Sequence, residues 1–436
     1  MKKIAFKTLG CRLNQYETDA LASRFHTGSY EIVDYSEKAD IYIVNTCTVT
    51  NQSDQKSRQT INQARKTNQE ALVVVTGCMA NHYKQSLLET GNINYVVDNE
   101  RKSSIFSIIE SHYRGETADP EGFDKDLFSY EAAYKTFHTR SMIKIQDGCD
   151  NFCTFCIIPH VRGRASSRPA KEIYNNIREV LEYGFKEVVL TGVNIGRYQD
   201  GTTNFEALIE GILELPGDFR VRISSIEPDG FTDRFFELFA HPKLTPHLHL
   251  CLQSGSEAIL LKMRRMYTAR QFREMAEKLK NLHPDFNLTT DIIVGFPGET
   301  EEAFQETVSM ANDLSFSHIH TFKYSVRNGT RAERMLDQIS EKEKNRRSEI
   351  IRNISEEQKR NYIRSMIGKK QRMLIERIGT DGFARGYGEN YFPIRLRMKN
   401  GVRNEFVDVI ITGIHEGKEP SAIAGITFSI NKISPF

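Results

Sequence analysis

Apolar runs of four to six residues alternate along the chain with longer stretches whose apolar positions recur every three or four residues. Such alternation predicts strands joined by crossover helices. "KKIAFKTLG", "ADIYIVNTC" and "ALVVVTGC" read as strands, with "NQYETDALASRFH" and "SDQKSRQTINQARKT" as helices between them. Asn14 and Glu17 stand at capping-box spacing, which predicts a helix start there. Residues 1–115 are therefore expected to form a Rossmann-like parallel α/β domain. Residues 116–135 lack sustained periodicity and are expected to link domains. The pattern resumes in "SMIKIQ", "KEVVLTGV", "FRVRISSI", "HLHLCLQ", "NLTTDIIVGF" and "HIHTFKYS". Six βα-like units fall short of a closed eightfold barrel, so an open (β/α)6 barrel is expected over 136–365, ending in the charged helix "SEKEKNRRSEIIRNISEEQKRNYIRSMIG". Beyond it "QRMLIERI", "FARGYGENYFPIRLRM", "EFVDVIITGI" and "SAIAGITFSI" carry glycine turns and no helix, which predicts a small antiparallel β-barrel over 366–436. The fold class is α/β.

Composition adds little to this except at the cysteines. The 436 residues are 39% hydrophobic and 27% charged, as in a globular protein of several domains. The apolar run in "MKKIAFKTLGCRLNQ" is too short for a signal peptide or a membrane span, so a cytoplasmic protein without membrane contact is expected. Net charge is +2, but residues 331–377 hold 14 Lys and Arg against 8 Asp and Glu. That excess fits contact with a polyanion, or a solvated helix face with ion pairs. Tyr387, Tyr391 and Phe392 beside Arg385, Arg395 and Arg397 fit nucleic-acid contact, or the core aromatics of a small barrel.

Seven cysteines, an odd number, argue for metal or redox chemistry rather than a disulfide framework. Cys11, Cys47 and Cys78 each follow a predicted strand, 36 and 31 positions apart. Ligands of open parallel sheets sit at the carboxyl ends of strands, so these three are expected to converge on one crevice. They are either ordinary strand-end cysteines or the ligands of a cluster with one open iron. Cys149, Cys153 and Cys156 lie within eight positions in "CDNFCTFCIIPHVRGRA", with no fourth cysteine nearby. This trio either leaves a metal open for chemistry or takes His160 as the fourth ligand of a zinc site. Cys251, in "HLHLCLQSG", reads as packing inside an apolar strand.

The C-x3-C-x2-C spacing with Phe155 before the third cysteine resembles the signature of the radical S-adenosylmethionine (SAM) enzymes. "GCRLNQYET", "NTCTVT", "GCMA", "RISSIEP", "LQSGS" and "DIIVGFPGET" extend the likeness across the chain. They resemble the methylthiotransferases, and among these the MtaB type that acts on N6-threonylcarbamoyladenosine next to the anticodon of tRNA. The resemblance implies an N-terminal cluster domain, a radical SAM barrel and a C-terminal TRAM domain. It implies two 4Fe-4S clusters, the first on Cys11, Cys47 and Cys78 and the second, which binds SAM, on Cys149, Cys153 and Cys156. Phe155, Thr191, Gly192, Asn194, Glu227, Gln253 and Gly295 are the cofactor-binding candidates, with Gly295 and Pro297 shaping a turn near adenine. Arg162 and Arg164 contact SAM or RNA, or pair with acids. The implied reaction replaces the hydrogen on carbon 2 of the adenine ring by a methylthio group and consumes two SAM molecules. The implied partners are the tRNA anticodon arm, an electron donor and a sulfur source. Val326, Asn328 and Arg331 stand where the family pattern leads one to expect prolines, and Cys251 replaces a small residue. Isopentenyladenosine in tRNA and a ribosomal-protein aspartate are the alternative substrates; a metal-stabilised RNA-binding protein is the alternative without catalysis.

Overall fold

The computed structural model describes residues 1–26, 28–116, 118–134, 136–398, 401–417 and 419–426. Strands β1 (Lys2–Thr8), β2 (Tyr30–Val33), β3 (Ile41–Thr46), β4 (Leu72–Gly77) and β5 (Tyr95–Val96) pair in the order β2-β1-β3-β4-β5, every pair parallel. β3 and β4 are buried at every position, as strands covered by helices on both faces must be. Helix α2 (Asn51–Thr67) opens with a capping box made by Thr50 and Ser53. Helix α1 (Arg12–Ser23) does not begin as the sequence suggested: Asn14 and Glu17 lie inside it. Both side chains serve longer-range contacts instead. The Asn14 amide donates to the carbonyls of Leu9 (2.8 Å) and Thr46 (3.0 Å), and Glu17 is buried among cations from two domains.

Asp19, also on α1, is 3% exposed, and among the described residues its carboxylate accepts one hydrogen bond, from the Phe137 backbone. Burial pushes its carboxyl up to about 7. The folded chain thus keeps a proton that the unfolded chain releases near pH 4, and stability falls as pH rises from there to about 7. The advantage of Asp19→Asn over wild type is expected to be about 2 kcal/mol larger at pH 8 than at pH 5.5, measured by anaerobic urea unfolding.

Six further strands, β6 (Ser141–Lys144), β7 (Glu187–Thr191), β8 (Arg220–Ile223), β9 (His247–Leu250), β10 (Asn287–Val294) and β11 (His318–Lys323), follow one another in space as in sequence, all parallel. β8 breaks at Ser224, and its continuation Ser225–Ile226 pairs with β9. Among the described residues β11 and β6 do not pair, so the barrel is open. Several of its strands alternate in polarity. Val221, Ile223, Leu248, Leu250, Leu288 and Ile319 join the hydrophobic core beneath the helices, while Arg222, His247, His249, Thr289, Asp291, His318 and His320 face internal cavities. The lumen is therefore polar.

Helix α3 (Glu341–Ser365) lies along β11, where the Ser355 hydroxyl accepts the Ile319 N–H at 2.8 Å. Much of its charge is spent internally: Arg346 pairs with Glu301 and Glu343, and Arg347 with Glu299 and Glu343. Strands β12 (Lys370–Ile378), β13 (Phe383–Tyr387), β14 (Pro393–Arg397), β15 (Phe406–His415) and β16 (Ser421–Ile426) close a small barrel in the order β12-β13-β14-β16-β15. Four pairs are antiparallel, but β14 and β16 run parallel. A closed ring of five strands cannot alternate direction all the way round, so the antiparallel expectation is corrected at this pair. The last ten residues of the expected span, 427–436, lie outside the described residues. Phe392 is not an exposed aromatic but part of the barrel core, and Tyr387 and Tyr391 are half-buried. The barrel docks where β8 and β10 begin: Arg220 donates to the carbonyls of Arg372 (2.8 Å) and Tyr387 (3.1 Å), and Asn287 donates to that of Asn390 (2.5 Å).

Candidate active site between two cysteine trios

The first trio is assembled by chain turns at the ends of β1, β3 and β4. Gly10 adopts φ +94°, and a Cβ there would sit 2.9 Å from the Cys47 sulfur, so only glycine lets these two segments meet. Cys47 and Cys78 are buried and Cys11 is exposed. Burial raises the Cys47 thiol and pushes that of Cys78 up to about 11, with Cys11 near enough to both to add to the effect. Binding a metal here must expel those protons.

A buried group of charges beneath the trio works in the opposite sense. Glu17 accepts from Lys102, from Lys144 at 2.9 Å and from Arg162 at 3.2 Å. Asp147 pairs with Lys144 at 2.6 Å and Arg162 at 2.9 Å. Three cations against two carboxylates leave one positive charge in excess, and Arg162 and Lys102 both favour the Cys78 thiolate. Despite burial, these cations hold the Glu17 and Asp147 carboxyls below the usual range. Arg162 therefore pairs with acids, while Arg164 is exposed and bonds Asp150 at 2.7 Å.

The second trio lies on the loop after β6. A Cβ on Gly148, at φ +66°, would fall 2.0 Å from the Arg164 carbonyl oxygen, and so glycine is required beside Cys149. The Cys149 sulfur accepts the Asn151 N–H at 3.5 Å, and the Cys153 sulfur accepts from Arg265 at 3.2 Å. Burial raises all three thiols, that of Cys156 to about 12. Cys78 packs against Ile157, Ile158 and Val161, which follow the second trio, so the two sites share a wall. His160 is exposed and completes no single-ion site with these cysteines. Beside Cys149 lies the buried amide of Asn194, whose hydrogen bond favours the Cys149 thiolate. Three neighbouring thiols with no fourth protein ligand among the described residues fit a cluster that leaves one metal to another molecule.

The remaining candidates divide. Glu227 stands by the second trio, but its oxygens hold Asn151 (2.7 Å) and Arg265 (2.8 Å), fixing the cysteine loop. Thr191 and Gly192 line a cavity of about 510 Å³ together with Cys11. The turn that carries them is pinned by Gln146, absent from the sequence reading, whose side-chain oxygen accepts from the N–H groups of Val193 (3.0 Å) and Asn194 (2.8 Å). Phe155, Gln253 and Gly295 do not line this cavity. Phe155 packs edge-on against Phe296 at 6.2 Å; Gln253, at φ +66°, bridges to β10; Gly295 donates to Glu299 at 2.6 Å. The loop with Val326, Asn328 and Arg331 is tied without prolines: Arg327 pairs with Asp54 (2.7 Å) and donates to Thr48 (2.9 Å) beside Cys47.

Cys251 lies just beyond β9 rather than inside it. Its sulfur is 3.9 Å from Asp291, which also bonds His249 at 3.2 Å. Among the described residues His249, Cys251 and Asp291 alone bring three ligand atoms within 4.8 Å of one another. They belong to the polar lumen, whose clearest signal in the sequence is the alternation of "RVRI", "HLHL" and "HIH" in strands that a parallel sheet would make apolar throughout.

The Radical SAM superfamily model matches residues 143–311, and the model described as Uncharacterized protein family UPF0004 matches residues 3–98. The chain is 37% identical over 425 residues to threonylcarbamoyladenosine tRNA methylthiotransferase MtaB of Bacillus subtilis (strain 168), covering 95% of this chain and 92% of that protein. It is 35% identical to the protein of the same name from Thermotoga maritima, covering 93% and 92%. It is 31% identical to a tRNA-2-methylthio-N(6)-dimethylallyladenosine synthase of Polynucleobacter asymbioticus, covering 95% and 97%. Among solved structures it is similar to the radical S-adenosylmethionine methyltransferase TsrM of Kitasatospora setae, with TM-score 0.54, 15% identity and coverage of 74% and 73%, a likeness of fold alone.

Proposed function

We propose that this chain, which belongs to the radical SAM tRNA methylthiotransferases, converts N6-threonylcarbamoyladenosine next to the tRNA anticodon to its 2-methylthio derivative. The observation that carries the reading is the cavity shared by Cys11 of the first trio, the Thr191–Gly192 turn of the radical SAM barrel and Tyr391 of the small barrel. Two 4Fe-4S clusters, held by Cys11, Cys47 and Cys78 and by Cys149, Cys153 and Cys156, supply with SAM the one-electron and sulfur chemistry of the reaction.

The chain's own residues do the rest. Glu227 and Arg265 fix the loop of the second trio, and the Asn194 amide favours the Cys149 thiolate. Lys102 and Arg162 supply the positive field under the first trio. The cavity receives a base that has left its stack, as an adenine carbon must to meet a buried centre. The small barrel and α3 form the grip on the anticodon arm, where loop bases are splayed rather than paired. An unactivated ring C–H has no acidic proton, so none of the lumen histidines acts as a base on it. No helix among the described residues is long and apolar enough to cross a membrane, and the reading places the enzyme with its tRNA in the cytoplasm. An electron donor and a sulfur source are its further partners.

The test is anaerobic reconstitution with iron, sulfide, SAM, a reductant and tRNA bearing threonylcarbamoyladenosine, followed by mass spectrometry of the nucleosides. A methylthio derivative of that nucleoside is the expected product; its formation on isopentenyladenosine alone would reject the substrate.

A further inference from the structure

One corner of the shared cavity is built around Tyr391, and three separate parts of the chain meet there. Tyr391 comes from the small barrel and holds a left-handed backbone at φ +57°, a region that glycine enters freely and an aromatic residue only at a cost. Its ring stacks on Tyr387 with centroids 4.8 Å apart. Three guanidinium groups surround it: Arg222 from β8 at 4.2 Å, Arg140 from the approach to β6 at 5.1 Å, and Arg12 from the start of α1 at 5.8 Å from the ring centre. Arg12 is the residue after Cys11.

The charges do not cancel. Arg222 shares Glu187 with Arg220 at 2.9 and 2.5 Å, and Arg140 pairs with Glu376 at 2.8 Å. Arg12 has no acidic partner among the described residues, although it is half-buried and lines both this cavity and the groove of about 930 Å³ that continues along the small barrel. Asp291, the acid that lines the cavity itself, is engaged with His249 at 3.2 Å. Burial works against ionisation of the Tyr391 phenol, yet Arg140, Arg12 and Arg222 outweigh it and bring its pKa below the ordinary value. The field at that hydroxyl thus favours negative charge.

From this geometry we infer that Arg12, with Arg140 and Tyr391, binds a carboxylate at the end of the N6 substituent of the target base, and that it selects an amino-acid-derived substituent over an apolar one. The inference rests on the function proposed above and assigns the part of the site that distinguishes its substrate. Threonylcarbamoyladenosine carries such a carboxylate, ionised at neutral pH; a dimethylallyl group carries none. A carboxylate satisfies the open guanidinium of Arg12 through charge-assisted hydrogen bonds. An apolar tail in the same place strips water from these cations and returns nothing. Selectivity of this kind follows from unpaired polar groups left in the wrong complex.

The experiment compares tRNA carrying threonylcarbamoyladenosine with the same tRNA whose threonyl carboxylate is a methyl ester, using reconstituted wild-type, Arg12→Gln and Arg12→Lys proteins. For wild type, kcat/KM is expected to be between about 10- and 100-fold higher on the acid than on the ester. Arg12→Gln is expected to bring that ratio within about threefold, and Arg12→Lys to restore part of it. A variant that merely loosens the fold lowers both rates and leaves the ratio unchanged. Equal wild-type rates on acid and ester, or an undiminished ratio in Arg12→Gln, would overturn the inference. Methylthio transfer to isopentenyladenosine tRNA, and to neither threonylcarbamoyl form, would overturn instead the function on which it rests.

Discussion

Cys153→Ala is expected to abolish reductive cleavage of SAM to 5′-deoxyadenosine, whereas Cys47→Ala is expected to retain that cleavage and lose the methylthio product. Each loss should be roughly a thousandfold or more, because each cysteine acts as part of a unit that fails as a whole. The asymmetry follows from where the trios sit. Cys153 shares its loop with Cys149 and Cys156, and Arg265 and Glu227 hold that loop from the barrel side. Cys47 belongs to the N-terminal sheet, and its removal leaves every one of those contacts in place. Chromatography of deoxyadenosine and mass spectrometry of the tRNA read the two steps from one reaction. Full product from the Cys47 variant would remove the first trio from the chemistry; loss of cleavage in that variant would make the two trios a single unit.

The second large effect concerns stability. Arg162→Met is expected to destabilise the protein by about 3 to 5 kcal/mol, since it removes the guanidinium that donates to two buried carboxylates and a buried amide and leaves those acceptors short of a donor. In this network Arg162 donates to Asp147 at 2.9 and 3.0 Å, to Glu17 at 3.2 Å and to Asn14 at 2.5 Å. For a chain of this length unfolding as a unit, a fall in the thermal midpoint of about 3 to 5 °C corresponds to that loss. The same substitution removes positive field from the first trio, so iron retained there should fall more than iron retained at the second, as Mössbauer spectra of the loaded variant would show. Arg162→Lys keeps the charge but not the planar fork, and is expected to recover less than half of the stability. A midpoint within about 1 °C of wild type in Arg162→Met would mean that Arg162 contributes no stability to the network.

Both arguments depend on features that differ in how plainly the sequence displays them. The convergence of Cys11, Cys47 and Cys78 was legible because a parallel strand ends at each, and position along one sheet edge is a local property. The closeness of Cys149, Cys153 and Cys156 was legible from spacing alone. Glu17 was not, because a glutamate three residues from an asparagine looks like a cap until Lys144 and Arg162, more than a hundred positions away, are folded onto it. For Tyr391 the sequence left nucleic-acid contact and barrel core both open, and the structure makes it half-buried because Arg12, Arg140 and Arg222 gather on it from two other domains. The polar lumen was written in the strands, yet alternation tells only that two faces differ. Which face turns inward is decided by the helices that cover the other one.

The buried network under the first trio also has a timetable. Glu17 and Lys102 belong to a domain that leaves the ribosome before the barrel does, and Arg162 is made 60 residues after Lys102, roughly 3 to 12 s later at about 5 to 20 residues per second. For the first 42 of those residues Glu17 has one of its three cations, and Lys144 and Asp147 join only shortly before Arg162. The floor of the first cysteine trio is thus finished only after the three cysteines of the second have been synthesised, so translation order itself withholds the first site until its partner exists.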